Sequence, residues 1–232
     1  MTRALDGLQV VEIADEISGP YCGKLLADLG AEVTKIETPE RDSLRRYGPF
    51  PGGAPDPDRA GLFEYLNAGK RGTTLDLAQP DDMAAARELI AQAHLLVEDF
   101  EPGTLEGWGL GIEDLQQLNP KLVLLRISAF GQSGPLRDRQ ATPLTMQAAS
   151  GWISARDPQR PPVQVGARIS EYVAGAYGAL GALTALRSPK PLWHNHARRP
   201  AGERGPPRGT PVAIRFRLRQ RRCRLPDCGC ST

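Results

Sequence analysis

The sequence predicts a doubly wound α/β fold, a mostly parallel sheet flanked by helices, on three observations. Short runs rich in Val, Ile and Leu recur along the chain, each of the length expected of a buried strand. Helical patterns separate these runs. The first run, the first helix and the second run fit within about thirty residues, which makes a right-handed βαβ unit with parallel strands.

Val10-Val11-Glu12-Ile13-Ala14 reads as the first strand. A turn rich in Ser18, Gly19 and Pro20 follows, then a helix with Leu25, Leu26 and Leu29 apolar and Lys24 and Asp28 polar. Gly30 stands where a helix ends in left-handed backbone, which only Gly adopts without steric cost. Glu32-Val33-Thr34-Lys35-Ile36 is the second strand. Ligands of such sheets sit beyond the carboxyl ends of the strands, so the loop from Asp15 to Pro20 is expected to face the site.

Thr38 to Ala60 is long, irregular and rich in Pro, Gly and Arg, the mark of a functional or mobile loop. A short helix is expected over Gly61 to Asn67 and a third strand over Thr73 to Asp76. Pro80, Asp81 and Asp82 open a helix reaching Ala93, because Pro suits the first turn and acids favour the positive end of the helix dipole. Leu95 to Glu98 and Leu122 to Ile127 are the fourth and fifth strands, with a helix from Ile112 to Leu118 between them. Ser128 to Pro135 is a glycine-punctuated turn, and Gln147 to Ser154 is expected to be helical. From Ile169 to Arg187, Tyr172, Ala176, Leu180, Leu183 and Leu186 recur at helical spacing. The many Gly and Ala residues make that helix slim enough to pack closely on another.

At 232 residues, 40% hydrophobic and 24% charged, the chain has the composition of a soluble globular protein with one substantial core. No window approaches the roughly 18 uninterrupted apolar residues of a membrane span, and the N-terminus lacks a signal-peptide core. A cytoplasmic protein is therefore expected. The net charge of +2 is unevenly spread. Ten Arg and Lys190 against Glu203 and Asp227 give residues 188–232 about +9, leaving about −7 on residues 1–187. The reading is thus two regions: a folded unit over 1–187, and a Pro/Arg-rich basic stretch over 188–232 that reads as a disordered tail or an out-of-frame extension. The tail is poor in aromatics, which disfavours a nucleic-acid arm. Cys223, Cys228 and Cys230 lack the spacing of a structural zinc site, so no metal is expected.

Several strings in order carry a family resemblance: Leu5-Asp6-Gly7, Ser18-Gly19-Pro20, LADLGAEV from Leu26, Lys35-Ile36-Glu37, NAGKRGTTLDL from Asn67, LVEDFEPGT from Leu96, LGIEDLQQLNPKLVLLRISAFGQSGP from Leu110 and RISEYVAGAYGALGALTALR from Arg168. Together they resemble the class III coenzyme A transferases (CaiB/BaiF family), a group that includes formyl-CoA and carnitine-CoA transferases and α-methylacyl-CoA racemases. The resemblance covers nearly all of Leu5 to Arg187 and then stops. It implies a Rossmann-like sheet that is incomplete relative to the family, whose members are usually longer, with a small second domain and interlocked dimers.

The resemblance implies a chemistry for particular residues. In the family, an aspartate at the start of the small-residue helix attacks the acyl-CoA thioester, giving a mixed anhydride and then a carboxyl-bound CoA thioester. The matching position is Glu171. Its stem is one methylene longer, and a misplacement of about 1 Å can slow a reaction about a hundredfold. Phe100 stands where the family places an aromatic near the CoA adenine and pantetheine. Lys70 and Arg71, with Asn67 beside them, are expected to meet phosphates. Phe130 and Gly131 let backbone approach an acyl group, Asp99 occupies the place of a common Asn, and Ile17 that of a Gln beside the nucleophile in some transferases. Glu101 replaces an Arg. The racemase branch carries a histidine just before the helix expected at Gln147, and Ala141-Thr142-Pro143 has none, so epimerisation is disfavoured.

Two readings follow from the resemblance. One is a CoA-transferase moving coenzyme A between an acyl-CoA and a free carboxylate through Glu171, with coenzyme A thioester as substrate and no tightly bound cofactor. The alternative is a non-catalytic or truncated CoA-binding half that works beside a second subunit or partner domain, a homodimer being the simplest case. A nicotinamide dehydrogenase is disfavoured because no G-x-G-x-x-G follows the first strand. A nucleic-acid role for the basic stretch is weaker still.

Overall fold

The computed structural model describes residues 3–153, 161 and 163–187, together with the backbone of 212–213. Five strands, β1 (Gln9–Ile13), β2 (Glu32–Glu37), β3 (Arg71–Thr74), β4 (Leu95–Glu98) and β5 (Val123–Arg126), form a parallel sheet. The backbone of β6 (Val212–Ala213) adds a short parallel edge beside Leu125 and Arg126. The strand order is β3-β2-β1-β4-β5-β6. Order reverses between β1 and β4, and a crevice opens beyond the carboxyl ends of strands at such a switch point.

Alternation along each strand divides the core into two layers. Val10, Val33, Leu95, Val97 and Leu125 pack under α1 (Ser18–Asp28) and α7 (Ile169–Leu186), against Cys22, Leu26, Ala179 and Ala182. Val11, Ile13, Leu96 and Leu124 pack on the opposite face, against Ala86 and Ile90 of α3 (Pro80–Gln92) and Leu115 of α5 (Ile112–Leu118). A third cluster, Ile17, Leu44, Ala60, Phe63 and Leu66, anchors α2 (Gly61–Asn67) beside the first loop.

The small residues of α7 have a direct use. A Cβ on Gly175 would lie 2.5 Å from the Ser18 carbonyl oxygen, so only Gly lets α7 sit against the first turn of α1. That close crossing sets Glu171, four residues earlier, beside the loop after β1.

The expected elements are all present, with shifts. The Ser18-Gly19-Pro20 turn is the first turn of α1, with Pro at a position where its missing N–H is harmless. Gly30 has φ +108° and follows the helix end as expected. β3 starts two residues early, at Arg71. The helix expected from Gln147 is α6 (Pro143–Ala149), because the Thr142 hydroxyl accepts from the Thr145 N–H and Pro143 opens the first turn. A further short helix, α4 (Thr104–Gly107), follows Gly103. The irregular stretch after β2 holds a 3-10 turn over Ser43–Arg46, capped by the Asp42 carboxylate. No described helix is long and apolar enough to cross a membrane. Apart from β6, the expected tail lies outside the described residues, as do Cys223, Cys228 and Cys230.

Candidate active site

A cleft of about 830 Å³ opens at the carboxyl ends of β1, β4 and β5. Its walls come from the loop Asp15–Ser18, from Asp99–Pro102, from Ile127–Phe130, from Arg137–Pro143 and from the start of α7, including Arg168, Ser170, Glu171 and Ala174.

Of the residues expected to form the site, Glu171, Ile17, Asp99, Phe100 and Phe130 line this one cleft. Gly131 follows Phe130 with φ +84°, a backbone that favours Gly. Phe100 serves two roles at once: it lines the cleft and stacks edge-on against Trp108, with centroids 5.2 Å apart, on the core beneath. Ile17 is 2% exposed and packs with Leu44 and Phe63, so it forms part of the floor.

Three expected contacts stand apart from the cleft. The Lys70 ammonium is buried and donates to both Glu12 oxygens at 2.9 and 2.8 Å, to the Pro20 carbonyl at 2.9 Å and to Asn67 Oδ1 at 2.9 Å. A phosphate would have to displace these acceptors, so Lys70 acts here as a core counter-ion and Asn67 as its partner. Arg71 opens β3 at the amino edge of the sheet, opposite the cleft, with its side chain 80% exposed near Glu32. The strand geometry thus places its charge on the wrong edge.

The electrostatics around Glu171 are specific. Arg168 Nε donates to Glu171 Oε1 at 2.9 Å, and Arg168 Nη2 lies 2.7 Å from Oε2. The same Nη2 also pairs with Glu16. Burial raises the Glu171 carboxyl above the usual range, Arg168 lowers it, Glu16 raises it again, and the balance is upward. Burial pulls the Arg168 guanidinium down, but Glu171 and Glu16 outweigh it and hold the charge in place. Ser170, on the same wall, has a buried hydroxyl with no hydrogen-bond partner among the described residues, which leaves a donor for a ligand.

Two further acids shape the floor. Asp99 accepts from the N–H groups of Asp15 and Gly19, and enclosure of its carboxyl pushes its pKa up to about 8. Asp15, desolvated and beside the Asp42 carboxylate, is raised to about 6. Asp42 moves the other way. Its burial is outweighed by the hydrogen bond from Asp15 and by the Lys35 ammonium 3.0 Å away. Among the described residues no cluster of His, Cys, Asp and Glu is arranged to hold a metal ion.

Glu16, Arg168 and Ser170 are absent from the sequence-based site. The three-residue spacing of Arg168 and Glu171 was a visible signal for a helical-turn pair. Glu16 gave none, since it reaches Arg168 from 152 positions away.

Comparison with known proteins identifies the family. The model of CoA-transferase family III matches residues 5–191. Succinyl-CoA–D-citramalate CoA-transferase of Chloroflexus aurantiacus is 40% identical over 188 residues, covering 79% of this chain and 45% of the relative. The beta subunit of succinyl-CoA–L-malate CoA-transferase from the same organism is 41% identical, covering 80% and 46%. A CaiB/BaiF family protein from Brucella suis superposes with a TM-score of 0.74 at 34% identity, covering 80% of this chain and 50% of that one. The chain spans about half the length of the curated relatives it matches. On both the family model and these identities, the chain belongs to CoA-transferase family III, the CaiB/BaiF family.

Proposed function

We propose that the cleft is the acyl-transfer end of a coenzyme A transferase site, with Glu171 as nucleophile. The observation that carries this reading is a half-buried carboxylate, in the first turn of α7, on the wall of the cleft that Phe100 and Phe130 also line.

The Glu171 carboxylate attacks the thioester carbonyl of an acyl-CoA, and the CoA thiolate leaves, giving a mixed anhydride. The thiolate then attacks the glutamyl carbonyl, forming a glutamyl-CoA thioester and releasing the acid as carboxylate. An acceptor carboxylate attacks that thioester, expelling the thiolate and forming a second anhydride. The thiolate takes the acceptor's acyl group and Glu171 returns as carboxylate. Every step conserves charge and needs no redox partner.

The residues support the scheme in distinct ways. Phe100, Ile127 and Phe130 offer an apolar wall for the pantetheine arm, and the unpartnered Ser170 hydroxyl is a donor for the developing oxyanion. The chain acts on acyl-CoA and carboxylate partners in the cytoplasm, as a homodimer or with a partner domain, and holds no tight cofactor.

The test is to incubate the purified chain with succinyl-CoA, the donor named for its relatives, in the presence of hydroxylamine. A hydroxamate on Glu171, found by peptide mass spectrometry and lost in E171Q, is the expected result. Turnover with no such adduct, or an adduct surviving in E171Q, sinks the reading.

A second reading is favoured by one fact: the chain spans about half of its relatives. On this reading it is a CoA-binding half that turns over only with further polypeptide. Calorimetry then registers CoA binding, while adduct formation appears only when the complementary segment of a relative is added.

A further inference from the structure

We infer that Arg168 is the positioning residue of this site, dividing one guanidinium between Glu171 and Glu16 so that Glu16 is the counter-ion when Glu171 is acylated. This rests on the reading of Glu171 as nucleophile.

Geometry comes first. Arg168 meets both oxygens of Glu171, at 2.9 and 2.7 Å, a fork that fixes the carboxylate plane as well as its distance. The nitrogen nearest Oε2 also holds Glu16, from the loop after β1. Glu16 and Arg168 both line the same cleft.

Backbone conformation is the second observation. Glu16 has φ +60°, Ala167 +59° and Arg168 +52°, all left-handed without being Gly. Each such residue is strained and persists only where surrounding structure imposes it. Both ends of the Glu16–Arg168 contact thus sit on backbone that disfavours their own side chains. Loop closure alone needs no such arrangement, since Asp99 already ties that loop down through Asp15 and Gly19.

The chemistry gives the arrangement a purpose. When Glu171 becomes an anhydride or thioester it loses its charge, and a guanidinium paired with it alone would be left partly buried and uncompensated. Glu16 removes that penalty. In the resting state, the shared cation binds Glu171 less tightly than an exclusive pair, leaving the carboxylate aimed but still nucleophilic.

The experiment is a carbon-detected NMR titration of protein labelled at the Glu side-chain carboxyls, with Glu171 assigned through E171Q. Asp15, Asp99, Glu101, Arg137, Asp138 and Arg139 face the same cleft and are unaltered in every variant, so their own titration is common to all of them. Charge sharing predicts opposite responses: R168M moves the Glu171 titration up, E16Q moves it down, and R168K lies between wild type and R168M. Shifts of one sign, or none, overturn the inference. E16Q alters a side chain 44% exposed, so it folds even where R168M does not, and an upward or absent shift in E16Q alone is decisive.

Hydroxylamine trapping separates the two claims. E16Q is expected to slow adduct formation several-fold with Glu171 still labelled. An adduct that forms on Glu171 at an unchanged rate in E16Q defeats the role of Arg168 while leaving the nucleophile intact. Turnover with no adduct in wild type defeats the nucleophile, and the titration still decides the charge sharing.

Discussion

Asp99 Oδ2 accepts the Gly19 N–H at 2.7 Å while its Oδ1 accepts that of Asp15 at 2.9 Å, so one carboxyl ties the end of β4 to the loop after β1. This contact lies at the switch point of the sheet, on the floor of the cleft.

The tie makes stability depend on pH. Desolvation raises Asp99 to about 8 and Asp15 to about 6, both above their ordinary value of 3.8. A carboxyl with a raised folded pKa binds its proton more tightly in the folded state, so its contribution is complete below pH 3.8 and is lost as pH rises through the folded value. The urea midpoint is therefore expected to fall between pH 6 and 8. D99N removes the titrating group and flattens this fall. Parallel declines in wild type and D99N overturn the assignment.

Gly175 and Gly178 are both small residues of α7, yet their substitutions are expected to differ. A Cβ on Gly175 meets the Ser18 carbonyl oxygen at 2.5 Å and the Cys22 amide nitrogen at 3.2 Å, both rigid backbone. On Gly178 the nearest atom is Ile127 Cδ1 at 2.9 Å, the end of a side chain that can turn aside. G175A is expected to cost about 2–3 kcal/mol and G178A about 1 kcal/mol or less. Thermal unfolding checks the order, and equal losses would mean that α1 and α7 part easily.

Glu98 and Arg126 are register partners on β4 and β5, both buried, and Arg126 extends to Glu106 at 2.7 Å. Removing the cation strands a buried carboxylate, so R126M is expected to cost about 3–5 kcal/mol. E106Q cuts only a bond to a side chain 44% exposed and is expected to cost about 1 kcal/mol or less. The double variant E98Q/R126M recovers much of the R126M loss, because no lone charge remains. Urea titrations of the three variants form the check, and a double variant no more stable than R126M contradicts it.

Local signals account for what the sequence made legible. Each strand has its own apolar run, Gly30 marks its helix end, and α7 follows from residue spacing, so the sheet and the helix that carries Glu171 could be read in advance, while Glu171 itself is singled out by the family resemblance alone. Tertiary closeness has no such signature. Asn67-Ala68-Gly69-Lys70-Arg71 looks the same whether the ammonium faces solvent or a glutamate 58 residues away, and the fold chose the glutamate. Left-handed backbone at Glu16 and Arg168 was equally silent, because the residues that adopt it are not Gly.

Glu12 is fully buried under α1 and serves two ammonium groups, Lys70 at 2.8 Å and Lys35 at 3.3 Å. The two cations are not equivalent. Lys35 also has Asp42 at 3.0 Å and the Ala14 carbonyl at 2.6 Å, and Glu12 and Asp42 together outweigh its burial, raising its pKa. Among the described residues Lys70 meets one acid, Glu12, and burial wins, lowering its pKa. E12Q therefore leaves Lys70 as the uncompensated charge and is expected to cost about 3–5 kcal/mol at neutral pH. Because a neutral Lys70 escapes that penalty, E12Q/K70M is expected to be more stable than E12Q alone, whereas E12Q/K35M gains less and leaves Asp42 unpaired. Chemical denaturation of the three variants checks the ranking, and a larger recovery with K35M than with K70M reverses the assignment.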